Sequence, residues 1–343
     1  MENLAARAIS CPPAESYIYG VNPHAAIGAI QDRALRWSRG DRRPDGRKLG
    51  LIIEGGGMRA VLSAGGAVAL SDLGFTDIFD EVYATSAAVM NASYFLTDQA
   101  ALGITVYYES LVTGRFINYL RFWKILDVDY VIDYVVAVQK PLNVDRLMAS
   151  RPRFFVAAID KNTGEGAIID VKAAPARILQ VFRAAMAIPV FYNRTVNLDS
   201  RQFIDGGLAN PFPIEAALAN GCTDLLVLLT RPPAYECGAP SWFERGVFEL
   251  MCARGNDGLR KTFLRQRERS KLVRDLALGI VPAPSGTTIA TVCTGDSEIV
   301  SRTTTDPAVL RCGAVRYGRK VLQAFGASFQ QWDLPPLSFS SGR

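Results

Sequence analysis

Three short segments carry residue types that could do chemistry. The first is Ala84-Thr85-Ser86-Ala87-Ala88, in which a hydroxyl is flanked by small residues where an apolar run gives way to a helical pattern. A strand-to-helix elbow would lift Ser86 off the sheet and set it at a helix N-terminus, where backbone N–H groups favour developing negative charge. That suits the nucleophile of an acyl transfer; the plainer use of such a serine is to cap a helix. The second is Gly55-Gly56-Gly57-Met58-Arg59-Ala60. Consecutive glycines let the backbone approach a substrate oxygen and aim N–H groups at it, as an oxyanion hole requires. The same loop also fits G-x-G-x-x-A, a weak dinucleotide fingerprint, although no acidic residue stands at the tip of the next strand to hold a ribose. It lacks the G-K-[ST] of a P-loop. A tight turn is the bland alternative. The third segment is Phe203-Ile204-Asp205-Gly206-Gly207, where an aspartate ends an apolar run and two glycines free the chain behind it. An Asp-Gly turn is the common use of that pair.

The histidine count decides how these pieces can combine. The chain has one histidine, His24, in a polar stretch before the first core strand. A Ser-His-Asp triad would have to recruit it from there. A serine hydrolase built on these segments therefore works without histidine, and a carboxylate in direct contact with the serine is the remaining acid–base solution. Such a carboxylate must be kept poised by its surroundings.

The elements that must position these residues follow from periodicity. Residues 49–54 form a short apolar run bounded by glycines and are expected to be a buried strand; 60–73 read as a helix, 79–85 as a strand and 87–96 as a helix. Strand, loop, helix, strand, turn, helix implies an α/β fold, a mostly parallel sheet covered by helices on both faces. Residues 104–145 are aromatic and irregular. A hairpin is expected over 154–171 around Asn162-Thr163-Gly164, then a helix at 175–187, a strand at 202–204, a helix at 213–220 and a strand at 224–229. The last third is expected to hold a helix at 258–278, a strand at 288–293 and a terminal helix at 306–325.

A G-G-G-x-R loop, then a serine elbow, then a distant D-G-G resembles the patatin-like phospholipase family. The resemblance extends through Asp127-Val128-Asp129-Tyr130, Pro141-Leu142-Asn143, Asn162-Thr163-Gly164-Glu165 and residues 297–317, the last four being like a bacterial cytoplasmic branch of that family. It implies a three-layer architecture, a Ser–Asp dyad and no cofactor or metal. By resemblance, Ser86 takes the nucleophile role, Asp205 the base role, and Gly55, Gly56, Gly57, Met58 and Arg59 form the oxyanion and substrate-binding loop. Three positions depart from the family pattern: Ala84 and Ala88 replace the glycines of G-x-S-x-G, and Ala60 replaces the glycine that ends the loop. Methyl groups there are expected to narrow the site. They also leave open an acyltransferase, or an acyl-binding protein that does not cleave. A nicotinamide-dependent oxidoreductase is the further alternative, resting on G-x-G-x-x-A alone.

With 343 residues, 49% apolar and 21% charged, the chain can bury a large core and is not expected to be disordered. The expected organisation is an N-terminal arm over 1–48, an acyl hydrolase core over 49–236 and an extension over 237–343 packed on it. No basic, aromatic-interleaved motif points to nucleic acid. The six cysteines lie far apart with no C-x-x-C, which suggests reduced thiols. No secretory leader or membrane-spanning run is evident, so a cytoplasmic protein is expected. Its partner would be an acyl ester or lipid. Between Arg254 and Asp275, the residues Arg260, Lys261, Arg265, Arg267, Arg269, Lys271 and Arg274 make a basic stretch that could touch an anionic membrane peripherally.

Overall fold

The computed structural model describes residues 18–121, 124–192, 194–209, 211–295 and 300–335. In chain order its strands and α-helices are β1 (Ile18–Tyr19), α1 (Pro23–Ser38), β2 (Leu49–Ile53), α2 (Val61–Asp72), β3 (Glu81–Thr85), α3 (Ala88–Leu96), α4 (Ala100–Thr105), α5 (Val144–Ala149), β4 (Arg153–Asp160), β5 (Gly166–Asp170), α6 (Ile178–Ala185), β6 (Val196–Leu198), β7 (Arg201–Asp205), α7 (Ile214–Ala219), β8 (Asp224–Leu228), α8 (Trp242–Phe248), α9 (Asp257–Ala277), β9 (Thr288–Val292) and α10 (Pro307–Ala324). The aromatic stretch after α4 winds into two π-helical segments, Val106–Ser110 and Tyr130–Gln139.

The strands form one sheet in the order β1-β9-β8-β2-β3-β4-β7-β6, with β5 paired to β4. Its centre, β9-β8-β2-β3-β4, is parallel, and the antiparallel pairs lie outside it. Both faces of the central strands are buried, which is why they read as continuous apolar runs. Strand alternation sorts the side chains. Leu51, Ile53, Val82, Ala84, Leu226 and Leu228 join a core with residues of α1, α2, α3 and α10. Ile52, Tyr83, Phe155, Leu225 and Val227 join a second core with residues of α7 and α9. Helices therefore cover both faces, as the sequence pattern indicates.

Two departures from sequence expectation concern the ends of the chain. The stretch before β2 contains α1, a 16-residue helix whose Ala26, Ile27, Ala29 and Ile30 are buried in the first core. Cys312 is disulfide-bonded, whereas Cys222, Cys237, Cys252 and Cys293 are free. The expectation of reduced thiols throughout thus fails at Cys312, where no C-x-x-C spacing signals a bond. Cys11 lies outside the described residues.

Several segments that looked distinctive act as clamps. Asp127 accepts from the Tyr130 N–H and pairs with Arg121 and Lys124. Asn143 caps α5 by accepting from Arg146 N. The turn at 161–164 seats the start of α9: Asn256 Nδ2 donates to the Lys161 carbonyl and Thr262 Oγ1 to the Gly164 carbonyl.

Candidate active site

Sheet register brings the three segments together. β3 runs along one edge of β4 and ends with Thr85 opposite Ala157. β5 occupies the other edge over 155–159. β7 takes up the first edge where β3 leaves it, with Asp205 opposite Ala158. Ser86 and Asp205 therefore meet where one strand hands the edge of β4 to another, although 118 residues separate them in sequence. Gly206 is required at this junction, because a Cβ there would lie 2.5 Å from the Ala157 carbonyl carbon.

Ser86 adopts φ 56°, a left-handed conformation that is uncommon for a residue with a side chain and costs of order 1–3 kcal/mol. Such strain persists only where the surroundings fix it. Here the fixing element is the glycine loop. A Cβ on Gly55 would sit 2.3 Å from the Thr85 carbonyl oxygen and 3.0 Å from the Ser86 Cβ, so only glycine lets the loop lie against the elbow. Behind the elbow, Asn91 Nδ2 donates to the Ala60 carbonyl at 2.8 Å, and Tyr107 Oη donates to Asn91 Oδ1 at 2.9 Å. The loop and the elbow are thereby tied to one scaffold. Ala60, Ala84 and Ala88 are fully buried members of the core between the sheet and the α2/α3 layer.

Asp205 is 4% exposed. Burial pushes its carboxyl up to about 6, opposed by the Ser86 hydroxyl, the Gly207 N–H and the positive charge of Arg302. Oδ1 accepts from Gly207 N at 2.7 Å. Oδ2 is buried and has no regular hydrogen-bond partner, while the Ser86 hydroxyl is close enough to the carboxyl to oppose its upward shift.

In the glycine loop, Gly56 has φ 141° and Gly57 φ 60°. Among the described residues neither N–H donates a hydrogen bond. Met58 differs: its N–H donates to the Arg302 carbonyl at 3.0 Å and its side chain is fully buried. Arg59 is 8% exposed and its Nε donates to Thr230 Oγ1 at 3.2 Å. Thr230 in turn donates through N and Oγ1 to Glu54 Oε2, and through Oγ1 to the Gly55 carbonyl. Met58 and Arg59 thus hold the loop in place. Glu54, Thr230 and Arg302 were not singled out by sequence reasoning; only the resemblance over 297–317 touched that region.

His24 is exposed in the first turn of α1. A cavity of about 360 Å³ lined by Lys161, Pro189, Tyr192, Ile204 and Cys252 lies beside β7, with the Ile204 side chain on the face of that strand opposite Asp205. In α9, Arg260 pairs with Glu249 and Asp257, Arg269 with Glu215, and Lys271 with Asp275, while Arg274 donates to the Arg231 carbonyl. Among the described residues, no group of His, Cys, Asp and Glu is arranged to hold a metal ion.

Residues 51–218, just under half of the chain, match the family model described as Patatin-like phospholipase. The uncharacterized protein YjjU of Escherichia coli (strain K12) is 30% identical over 205 residues, a span that covers 58% of this chain and 56% of YjjU. The chain therefore spans little more than half the length of that relative. Among solved structures, the human GIVD cytosolic phospholipase A2 in complex with methyl gamma-linolenyl fluorophosphonate is similar over 92% of this chain and 66% of its own, at 12% identity and TM-score 0.45. VipD from Legionella pneumophila is similar over 82% of this chain and 67% of its own, at 14% identity and TM-score 0.38.

Proposed function

We propose that the chain is a serine acyl hydrolase acting on lipid esters, with Ser86 as nucleophile and Asp205 as base. The observation that carries this reading is the pairing of a strained, left-handed Ser86 with a buried carboxyl held near pH 6. In the proposed reaction Asp205 takes the hydroxyl proton as Ser86 Oγ bonds to the ester carbonyl carbon. The Gly56 and Gly57 N–H groups receive the oxyanion. Collapse breaks the ester C–O bond, and the leaving alcohol takes the proton from Asp205. A water, deprotonated by the same carboxylate, then bonds to the acyl carbon; the bond from that carbon to Ser86 Oγ breaks, Asp205 returns the proton to Oγ, and the acyl group leaves as an acid. The dinucleotide alternative would need an acidic side chain where Ser86 stands at the tip of β3.

Membrane contact is proposed to be peripheral. Among the described residues no helix is long and apolar enough to cross a membrane. Trp242, Phe243 and Leu250 are exposed on α8 and the turn that follows it, close in sequence to α9. They add to the apolar contact that Leu264 and Leu272 expose on α9 itself.

The test is covalent labelling of the full chain by a fluorophosphonate ester. Labelling is expected at Ser86 in the wild type, to be absent in Ser86→Ala and to be slowed at least a hundredfold in Asp205→Asn. A folded wild type that resists the probe overturns the reading and favours a non-cleaving acyl-binding protein. Loss of labelling in His24→Ala would restore a triad.

A further inference from the structure

The adjacent parallel strands β9, β8 and β2 end at one edge of the sheet, and each is followed by an arginine: Arg59 within the glycine loop, with Arg302 and Arg231 in electrostatic reach of it. Strand order reverses between β8 and β2, since the chain runs from β2 through β3 to β4 on one side while β8 and β9 lie on the other. A crevice at such a reversal, beyond the carboxyl ends of the strands, is where open α/β sheets bind ligands. Arg59 follows β2. Its guanidinium lies against the loop, so that a Cβ on Gly56 would be 2.7 Å from Nη2. Arg231 follows β8, next to the Thr230 that Arg59 contacts, and its guanidinium stacks 3.6 Å over the Tyr235 ring. Arg302 lies between β9 and α10; its carbonyl holds the Met58 N–H and would be 2.8 Å from a Cβ on Gly57.

The three cations feel one another. Burial, then the fields of Arg231 and Arg302 against that of Glu54, push the Arg59 guanidinium down to about 10. Burial chiefly, with Arg302, lowers Arg231 as well. Among the described residues none of the three forms an ion pair with a carboxylate. Glu54 is the one carboxylate that raises Arg59 and Arg231, and it is bonded to Thr230. The arginines of α9 show the ordinary alternative, in which basic side chains are neutralised by neighbouring acids. At the loop Arg59 and Arg231 share the field of Glu54 without either of them pairing with it. The crevice is unsuited to a cationic head group, because the like charges of Arg59, Arg231 and Arg302 repel one and Tyr235 already has the Arg231 and Arg274 guanidinium groups 3.6 and 5.5 Å from its ring centroid.

We propose that Arg231 and Arg302, above the buried Arg59, are specificity-determining residues that select acyl esters whose head group is an anionic phosphate without a compensating cation. Guanidinium groups suit this task because their planar donor fork matches phosphate oxygens. This inference rests on the hydrolase reading, which the labelling experiment tests separately.

The experiment has two arms that use the full chain. In the first, kcat/KM is measured for dioleoyl phosphatidic acid and dioleoyl phosphatidylcholine in neutral detergent micelles, and for a soluble pair, butyryl glycerol 3-phosphate and butyryl glycerol. The phosphomonoester is expected to be favoured at least about tenfold in both pairs, through KM, with the ratio falling as salt is raised. Arg231→Gln with Arg302→Gln is expected to reduce the ratio about tenfold. Arg302 is exposed and its structural bond is made by its carbonyl, so its replacement leaves the loop closed. A wild-type ratio near one, or an unchanged ratio in the double variant, overturns the proposal. A preference confined to micelles also overturns it, since that would report attraction to an anionic surface. The second arm does not depend on turnover: inorganic phosphate binding is measured by calorimetry on wild type and double variant. Millimolar binding lost in the variant supports the subsite even if fluorophosphonate labelling fails, and absence of binding in the wild type counts against it.

Discussion

At the scale of single residues the pivot is the carboxyl of Asp205. A carboxyl raised to about 6 must be ionised to serve as the proposed base, so kcat/KM should rise with pH, reach half its plateau near pH 6 and fall about tenfold per pH unit below it. Arg302 lowers this value, so Arg302→Gln should move the midpoint upward; a midpoint that stays in place would show that Arg302 does not act on the base. The same carboxyl sets a cost in stability. Its folded value lies above its ordinary 3.8, so the fold favours the protonated form. That contribution is whole below about pH 4 and is lost as pH rises through about 6, which amounts to about 3 kcal/mol at most. Asp205→Asn should therefore be inactive yet melt higher than wild type at pH 8, with the difference vanishing near pH 4. Equal melting at pH 8 would mean that the carboxylate is solvated rather than buried.

Element by element, legibility in the sequence followed burial. The central strands and the helices after them are readable because both sheet faces are apolar and the connections carry glycine. The elbow and the Asp205 turn are readable for the same reason, as small residues interrupt apolar runs. α1 escapes because Asp32, Arg33 and Arg36 crowd its second half and blur the apolar stripe begun by Ala26, Ile27 and Ile30, and because Asn22, in a left-handed conformation, offers no side-chain cap. The meeting of Ser86 with Asp205 is not local information: it depends on β7 inheriting the edge of β4 from β3. Arg302 is likewise brought in by a connection with no periodicity of its own. Packing between elements makes a contrast that can be measured. A Cβ on Gly65 of α2 would lie 2.2 Å from the Ala314 carbonyl oxygen of α10, whereas one on Gly28 of α1 meets nothing within 4 Å. Gly65→Ala should destabilise by about 2 kcal/mol through overpacking. Gly28→Ala should stabilise by about 0.5–1 kcal/mol through helix propensity. Denaturant midpoints that move in the same direction for both would show that the α2–α10 crossing is not close.

On the scale of the whole molecule, the family match and the folding unit do not coincide. The match covers residues 51–218 and so ends before β8, α9, β9 and α10. Yet β8 pairs with β2 along all five residues of that strand, 49–53 with 224–228. Without it, the strand that delivers the glycine loop becomes a long apolar sheet edge, which invites pairing with another chain. α10 is lost as well, and with it Leu310, Ala314, Tyr317 and Val321 from the core above α2. Each fully buried residue of that size contributes roughly 1–3 kcal/mol, so their sum rivals the net stability of a domain. The site would also lose Thr230, which bonds Glu54, Gly55 and Arg59, and the Arg302 carbonyl that holds Met58. The fragment 51–218 should therefore be insoluble or molten, with no cooperative thermal transition and no labelling by a fluorophosphonate. Residues 18–335 should unfold in a single transition, because α1, α2, α3 and α10 share one core. A soluble 51–218 fragment that melts cooperatively would show that the parts beyond it are appended to the domain and not integral to it. Such a fragment that also labels at Ser86 would remove Thr230 and Arg302 from the machinery of the site.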